Sequence, residues 1–129
     1  GPAEILVELR VAIRPGCGSA YEKVERRVGD WAVTAAGASL WVEGGQIAQA
    51  GIGLAAVGAE HFRAPEAEAS LVGAAPTEQA FRTASDLAAQ HANPVSDQRG
   101  PADYKRHLVG ELTIRALRRA AARATGQEG

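Results

Sequence analysis

The residues able to carry out nucleophilic or metal chemistry are few and scattered. Cys17 could act as a thiol nucleophile with a histidine as its base, but His61, His91 and His107 all lie far from it in sequence. The histidines are 30 and 16 residues apart and lack the paired spacing of a zinc site. The pattern favours surface or helix-flanking histidines, so it predicts no metal site and leaves any catalytic residue unknown.

A second candidate is the run Gly51-Ile52-Gly53-Leu54-Ala55-Ala56, which matches the GxGxxA dinucleotide fingerprint. That fingerprint works only where a strand is followed at once by a helix whose N-terminus faces the pyrophosphate. Pro65 follows too closely here to leave room for such a helix. We interpret the glycines as positions in a strand that allow close packing.

Basic residues concentrate near the end of the chain. Between 101 and 124 there are six basic and two acidic side chains, a balance of +4, whereas the remainder carries -5. Only Tyr104 supplies an aromatic ring among these charges, and this favours a solvated face or a partner contact over nucleic-acid binding. Upstream of the same helix, Asp97 and Arg99 come close in sequence to Lys105 and Arg106. Such a cluster is more typical of a helix cap than of a reaction centre.

Length and composition limit the elements that can position these groups. With 129 residues, 46% hydrophobic and 22% charged, the chain fits one globular domain that buries roughly two thirds of its unfolded surface. The net charge of -1 argues against a polyelectrolyte partner. The single cysteine and the lack of a long apolar run favour a cytoplasmic protein. Because methionine is absent and the chain begins Gly1-Pro2, we expect a removed tag, the back portion of a longer polypeptide, or both.

Strands are predicted in the first half of the chain. Apolar and mostly polar side chains alternate from Glu4 to Arg14, which predicts a half-buried strand that stops at Pro15-Gly16. The run 20–27 fits helix and strand templates partly, and we favour a short strand or an extended run. Trp31 to Val42 and Ile47 to Val57 are apolar runs joined by a Gly-Gly turn, the pattern of a β-hairpin.

Helices are predicted in the second half, at 65–72, 77–91 and 101–124. In the last of them, steps of four residues predict a buried stripe of Tyr104, Leu108, Leu112, Ala116 and Ala120. Strands followed by helices indicate an α+β fold, an antiparallel sheet with helices stacked on one side.

Three stretches, in this order and spacing, carry a resemblance to a known family. They are the opening segment ending in Arg14-Pro15-Gly16, the run Ser19-Ala20-Tyr21-Glu22-Lys23-Val24-Glu25-Arg26-Arg27 closed by Asp30-Trp31-Ala32, and Asp97-Gln98-Arg99 through Tyr104-Lys105-Arg106-His107-Leu108. From Glu4 to Ala122 the chain resembles the C-terminal domain of the FAD-binding medium subunit of aerobic carbon monoxide dehydrogenase, a molybdenum hydroxylase. The resemblance implies a single domain over 1–129, with a three-stranded antiparallel sheet packed against a small helical bundle.

The same resemblance implies a function in electron transfer. In such oxidoreductases a molybdopterin-binding large subunit oxidises the substrate, an iron–sulfur small subunit relays electrons, and FAD in the medium subunit receives them. The resemblance places Tyr21 and Lys23 toward the flavin, with Asp30 as their neighbour; a cross-strand tyrosine and lysine on a sheet is the alternative. The family holds FAD mainly through an N-terminal portion with glycine-rich loops. We therefore expect no FAD on these 129 residues alone and no complete active site.

An alternative is a free-standing family member that lacks FAD. It would serve as an assembly or binding module, or as a small enzyme acting in the cleft between sheet and helices. Tyr21, Lys23, Asp30 and His61 would then be the polar groups to test first.

Overall fold

Three strands and then three helices make up the fold in a computed structural model that describes residues 2–11, 14–59 and 62–127. In chain order they are β1 (Cys17–Val24), β2 (Thr34–Glu43), β3 (Gln46–Ala55), α1 (Pro65–Leu71), α2 (Glu78–His91) and α3 (Ala102–Ala124). The predicted α+β order is confirmed, and each predicted helix agrees with an observed one to within about a residue at its ends.

The sheet is antiparallel throughout, with the strand order β1-β2-β3. The predicted hairpin is β2 and β3, and its turn is Gly44-Gly45, where both residues have positive φ (58° and 80°). A two-residue turn with positive φ at both positions matches the twist of the flanking strands, and glycine adopts it without a Cβ penalty. The sheet therefore places Tyr21 of β1 opposite Gly37 of β2, and Gly37 opposite Gly53 of β3.

One face of the sheet packs against the helices and forms the core. Side chains alternate along a strand, so every second residue of β2 and β3 points to the same face. The core-facing residues of the strands are small or aliphatic, and the helices cover them with aliphatic side chains and one phenylalanine. This face includes Ala36, Ala38, Leu40, Ile52 and Leu54, covered among others by Leu71, Phe81, Val109, Leu112 and Leu117.

Helix α3 lies directly on β1 at Gly18. A Cβ atom built on Gly18 would collide with the backbone oxygen of Ala120 and the backbone nitrogen of Ala124. Arg123 donates from Nη1 to the carbonyl oxygen of Ser19 at 2.6 Å. The backbone approach and this hydrogen bond together fix the position of the helix on the strand.

Helix α1 closes the outer edge of β3. The Glu68 carboxylate, which is buried, accepts a hydrogen bond from the backbone N–H of Ile52 at 3.0 Å. Arg63 pairs with the same carboxylate and compensates its charge. An edge N–H that would otherwise need water or another strand is satisfied within the chain.

The predicted strand at Glu4–Arg14 is wrong for its described part, 4–11 and 14. Residues 4–11 have no regular secondary structure, and Ile5, Val7 and Leu9 are more than 80% exposed. Alternation determines which side chains share a face, but a strand forms only where a neighbour supplies hydrogen bonds. The described sheet begins at Cys17, so the 20–27 run, predicted as a short strand, supplies most of the first strand.

The predicted buried stripe of α3 is correct only in its second half. Leu112, Ala116 and Ala120 are buried, whereas Tyr104 is exposed and Lys105 beside it is buried. A step of four residues overshoots one helical turn by about 40°, so a strict step of four leaves the buried face within a few turns. The buried face of α3 instead runs through residues 105, 109, 112, 116 and 120. Lys105 therefore lies on the side of the helix that faces the core.

The contact at Gly18 predicts a large cost for the smallest added side chain. Gly18→Ala should lower the free energy of unfolding by about 3 kcal/mol, because backbone atoms of α3 must move to admit the methyl group. Gly37→Ala is the matched control on the neighbouring strand: its Cβ would meet Tyr21 Cδ2 at 3.5 Å, an ordinary contact, and the change should stay below about 1 kcal/mol. Urea unfolding followed by circular dichroism measures both. Equal costs for the two variants would contradict the assigned contact.

Candidate functional site

The face of the sheet that points away from the helices, here called the outer face, carries two of the predicted site residues. Tyr21 and Lys23 lie two positions apart on β1 and therefore share this face. Tyr21 is 60% exposed, and its ring lies beside Gly37 of β2, where a larger side chain would occupy the space. The opposing glycine leaves the aromatic ring accessible on an open surface.

The third predicted residue, Asp30, lies in the connection between β1 and β2. Lys23 donates from Nζ to the backbone oxygen of Asp30 at 3.3 Å and also pairs with Glu25. The Asp30 carboxylate accepts from the backbone N–H of Trp31 at 2.7 Å. The structure thus brings Lys23 and Asp30 together at one end of the sheet, with Tyr21 adjacent on the same face.

Arg99, which sequence reasoning placed in a helix-capping cluster, reaches this same connection. Its Nη1 donates to the backbone oxygen of Trp31 at 2.7 Å and lies 3.7 Å from Asp30 Oδ1. The contact joins residues 68 positions apart, so no local pattern indicates it. The available indication in the sequence was the density of charged residues at 97–106, which sequence analysis interpreted as a helix cap.

Lys105 supports the segment that carries Arg99. Its side chain is buried, and Nζ donates to the carbonyl oxygen of Val95 at 2.9 Å and pairs with Asp97 Oδ2 at 2.7 Å. The other oxygen, Asp97 Oδ1, accepts from the backbone N–H of Arg99 at 2.8 Å. These two donors hold the pKa of Asp97 below its ordinary value of 3.8, with the Lys105 hydrogen bond as the larger cause.

The surroundings of Asp30 are open to solvent. A surface pocket of about 590 Å³ is lined by residues 26–30, which include two arginines. Val28 is fully exposed and Trp31 is 82% exposed. The surface around Asp30 therefore presents both cationic and apolar groups.

The other candidates from the sequence do not join this cluster. His91 pairs through Nδ1 with Glu66 at 3.2 Å, His107 is exposed on α3, and Cys17 starts β1. His61 lies outside the described residues. Within 2–11, 14–59 and 62–127, no group of histidine, cysteine and acidic residues could hold a metal ion, and no helix is long and apolar enough to cross a membrane.

The interpretation of the GxGxxA run as strand glycines is confirmed. Gly51 and Gly53 both lie within β3, and the next helix begins only at Pro65. A Cβ on Gly51 would come within 2.8 Å of the Ser39 hydroxyl oxygen on the neighbouring strand. The glycine therefore accommodates a cross-strand neighbour.

The fold and the site together define a class of α+β domain. Helices cover one face of its sheet, and a polar cluster lies beside the other, open face. Over residues 19–120 the chain matches the family described as CO dehydrogenase flavoprotein C-terminal domain, and it belongs to that family. The resemblance stated from the sequence is confirmed.

Relatives and solved structures agree with this assignment. The chain is 42% identical over 95% of its length to the carbon monoxide dehydrogenase medium chain of Afipia carboxidovorans, of which it covers 43%. It matches the structure of carbon monoxide dehydrogenase from Hydrogenophaga pseudoflava lacking the Mo-pyranopterin moiety with a TM-score of 0.81 and 39% identity, covering 87% of this chain and 39% of that one. It also matches quinoline 2-oxidoreductase from Pseudomonas putida 86 with a TM-score of 0.75 and 32% identity, covering 89% and 39%. The chain thus spans less than half the length of these proteins.

The lowered pKa of Asp97 predicts a pH-dependent contribution to stability. A carboxyl group whose pKa is lower in the folded state stabilises the fold above its unfolded pKa, and this contribution is lost as the pH falls through the lower folded value. The melting temperature of the unmodified chain should exceed that of Asp97→Asn at pH 7, and the difference should shrink as the pH falls below about 4, where an ordinary aspartate becomes protonated. Asp103→Asn, on an exposed side chain of the same helix end, is the control. A difference in melting temperature that does not shrink at acid pH would contradict the ionic contact.

Proposed function

We propose that this chain is the C-terminal domain of the FAD-binding medium subunit of a carbon monoxide dehydrogenase-like molybdenum hydroxylase. In this function the domain supplies one wall of the flavin site and supports electron transfer from iron–sulfur clusters to FAD. The observation that carries the proposal is the family match over residues 19–120, which includes all three predicted flavin-facing residues. The named relatives include a carbon monoxide dehydrogenase medium chain and a quinoline oxidoreductase, so the substrate differs between proteins that share this domain.

The residues of the outer face fit a flavin neighbour. Tyr21 offers an accessible aromatic ring for packing against a planar ligand. Lys23 offers an ammonium group, and its hydrogen bond to the Asp30 backbone oxygen holds it at the end of the strand. When bound, FAD would supply the chemistry of accepting electrons and passing them on, while Lys23 would stabilise negative charge acquired by its neighbour.

The proposed partners are a molybdopterin-binding large subunit and an iron–sulfur small subunit. Exposed Val28 and Trp31, beside Arg26 and Arg27, provide an apolar and cationic surface near the flavin-facing residues. Such a surface suits contact with the flavin-binding portion of the same subunit or with a neighbouring subunit.

Separating the domain from the flavin-binding portion provides the first test. The purified 129-residue chain should carry no stoichiometric FAD, because its described face offers a wall and no phosphate-binding loop. A longer polypeptide, with an upstream glycine-rich domain encoded in the same reading frame, should purify yellow with one FAD for each chain. Absorbance at the flavin maxima after denaturation measures both. Stoichiometric FAD on the 129-residue chain would overturn the proposal.

The function of Lys23 is tested in that longer flavoprotein. Lys23→Ala should make the two-electron potential of the bound FAD more negative by about 30 mV, equivalent to about 1.4 kcal/mol, because a cation near the reduced cofactor is lost. Arg115→Gln, an exposed cation on α3 paired only weakly with Glu111 at 3.9 Å, is the control and should leave the potential unchanged. Potentiometric titration distinguishes them. An unchanged potential in Lys23→Ala would remove Lys23 from the flavin site.

A further inference from the structure

The contacts of Lys105, Asp97 and Arg99 form a continuous path from the core to the proposed flavin-facing residues. We call these three residues the tether. Lys105 holds Asp97, Asp97 holds the backbone of Arg99, and Arg99 holds the backbone of Trp31. We propose that the tether positions the Asp30–Trp31 segment, and that Lys105 and Arg99 are positioning residues for the site. Its link to the flavin rests on the proposed function, whereas its effect on the segment does not.

The first step is the burial of Lys105. The residue is 2% exposed, yet its neighbours on the buried face of α3 are aliphatic or small. Removing an ammonium group from water is costly, and replacing a buried ion pair with apolar side chains is often neutral or stabilising. An apolar side chain at this position could fill the same space, so the burial of an ammonium group calls for a further reason. A geometric reason is available, because Nζ joins two points of one loop, the Val95 carbonyl and the Asp97 carboxylate.

The second step is the rigidity of the turn that Lys105 holds. Asp97 and Gly100 exchange two backbone hydrogen bonds, each of 3.1 Å, which close the turn. The Ser96 hydroxyl accepts from the backbone N–H of Ala102 at 2.9 Å and attaches the same turn to the start of α3. Lys105 lies about one helical turn beyond Ala102, so both attachments of the turn are made to α3. The backbone of Arg99 is thereby fixed relative to α3.

The third step is the reach of Arg99 across to the β1–β2 connection. The Arg99 guanidinium, in the loop before α3, donates to the backbone oxygen of Trp31. The Trp31 side chain itself is 82% exposed. Within the connection, the backbone N–H of Asp30 bonds to Arg27 and that of Val33 bonds to Val24. Few buried apolar contacts support this segment, so a directed polar contact has a large influence on where it lies.

Amide hydrogen exchange of the 129-residue chain tests the tether directly. The backbone N–H groups of Asp30, Trp31 and Val33 are reporters, because each donates a hydrogen bond within the segment. Arg99→Ala and Lys105→Met should each accelerate exchange at these three amides by about tenfold. The amide of Ile47 in β3, which donates to the carbonyl oxygen of Ala74 after α1, should keep its rate. Arg106→Ala, the adjacent cation paired with exposed Asp103, should leave all of them unchanged.

A double variant separates a connected path from two independent contacts. Residues that act through one path have non-additive effects. In the double variant Arg99→Ala/Lys105→Met, the three reporter amides should therefore exchange no faster than they do in the faster single variant. The proposal would be overturned if the two single-variant accelerations multiplied in the double variant. It would also be overturned if the reporter amides kept their exchange rates, or if the Ile47 amide accelerated equally. Should Lys105→Met fail to fold, Asp97→Asn interrupts the same path at a partly exposed side chain. Asp97→Asn should accelerate exchange at the same three amides.

The flavin potential distinguishes positioning from a purely structural contact. In the longer flavoprotein, Arg99→Ala should shift the FAD potential in the same direction as Lys23→Ala, and Arg106→Ala should not. If Lys23→Ala shifts the potential and Arg99→Ala does not, the assignment of Arg99 as a positioning residue is overturned. If neither variant shifts the potential while the exchange pattern holds, the proposed flavin-facing placement of Lys23 and this segment fails, and the tether remains as a device that holds the segment.

Discussion

The close approach of α3 to β1 at Gly18 is the constraint on which the remaining structure depends. Because no Cβ separates strand from helix, backbone atoms of Ala120 and Ala124 occupy the space that a side chain would take. Because α3 approaches the strand so closely, the helix covers the small residues of the sheet directly. Large side chains are therefore not needed to fill a gap between strand and helix. It also fixes the angle and height of α3, and hence the place where its first turn lies beside the sheet.

That first turn is the origin of the polar cluster near Asp30. Helix α3 contributes to the core from Val109 onward and to the cluster through Lys105 at its beginning. A site built on loops is usually less precise than one built on helices and strands, unless polar contacts connect the loops to the rigid elements. Here Arg99 connects the loop before α3 to the loop after β1. Packing at one end of the helix therefore determines geometry at the other.

Local patterns in the sequence predicted the elements that local chemistry determines. The Gly44-Gly45 turn predicts the hairpin because glycine alone accepts both positive φ angles without penalty, and Pro65 marks the start of α1 because a first-turn proline needs no N–H partner. The strand predicted at 4–14 is wrong for its described part because alternation carries no information about a pairing neighbour. The contact between Arg99 and Trp31 was not predicted, because it depends on how α3 lies on β1. Tyr21, Lys23 and Asp30 were named by family resemblance, and their proximity could not be read from spacing alone.

The pairing of Lys23 with Glu25 sets how strongly this cation can act on a neighbour. A lysine that shares its charge with an adjacent carboxylate presents a weaker field than an isolated ammonium, so its effect on a nearby redox group is moderate. The hydrogen bond from Nζ to the Asp30 backbone oxygen does not neutralise the charge, because a carbonyl is only a dipole. The position of the Asp30 backbone therefore governs the direction in which Lys23 presents its charge. Arg99 holds the carbonyl of the next residue, so the same contact that orders the β1–β2 connection also orients the lysine.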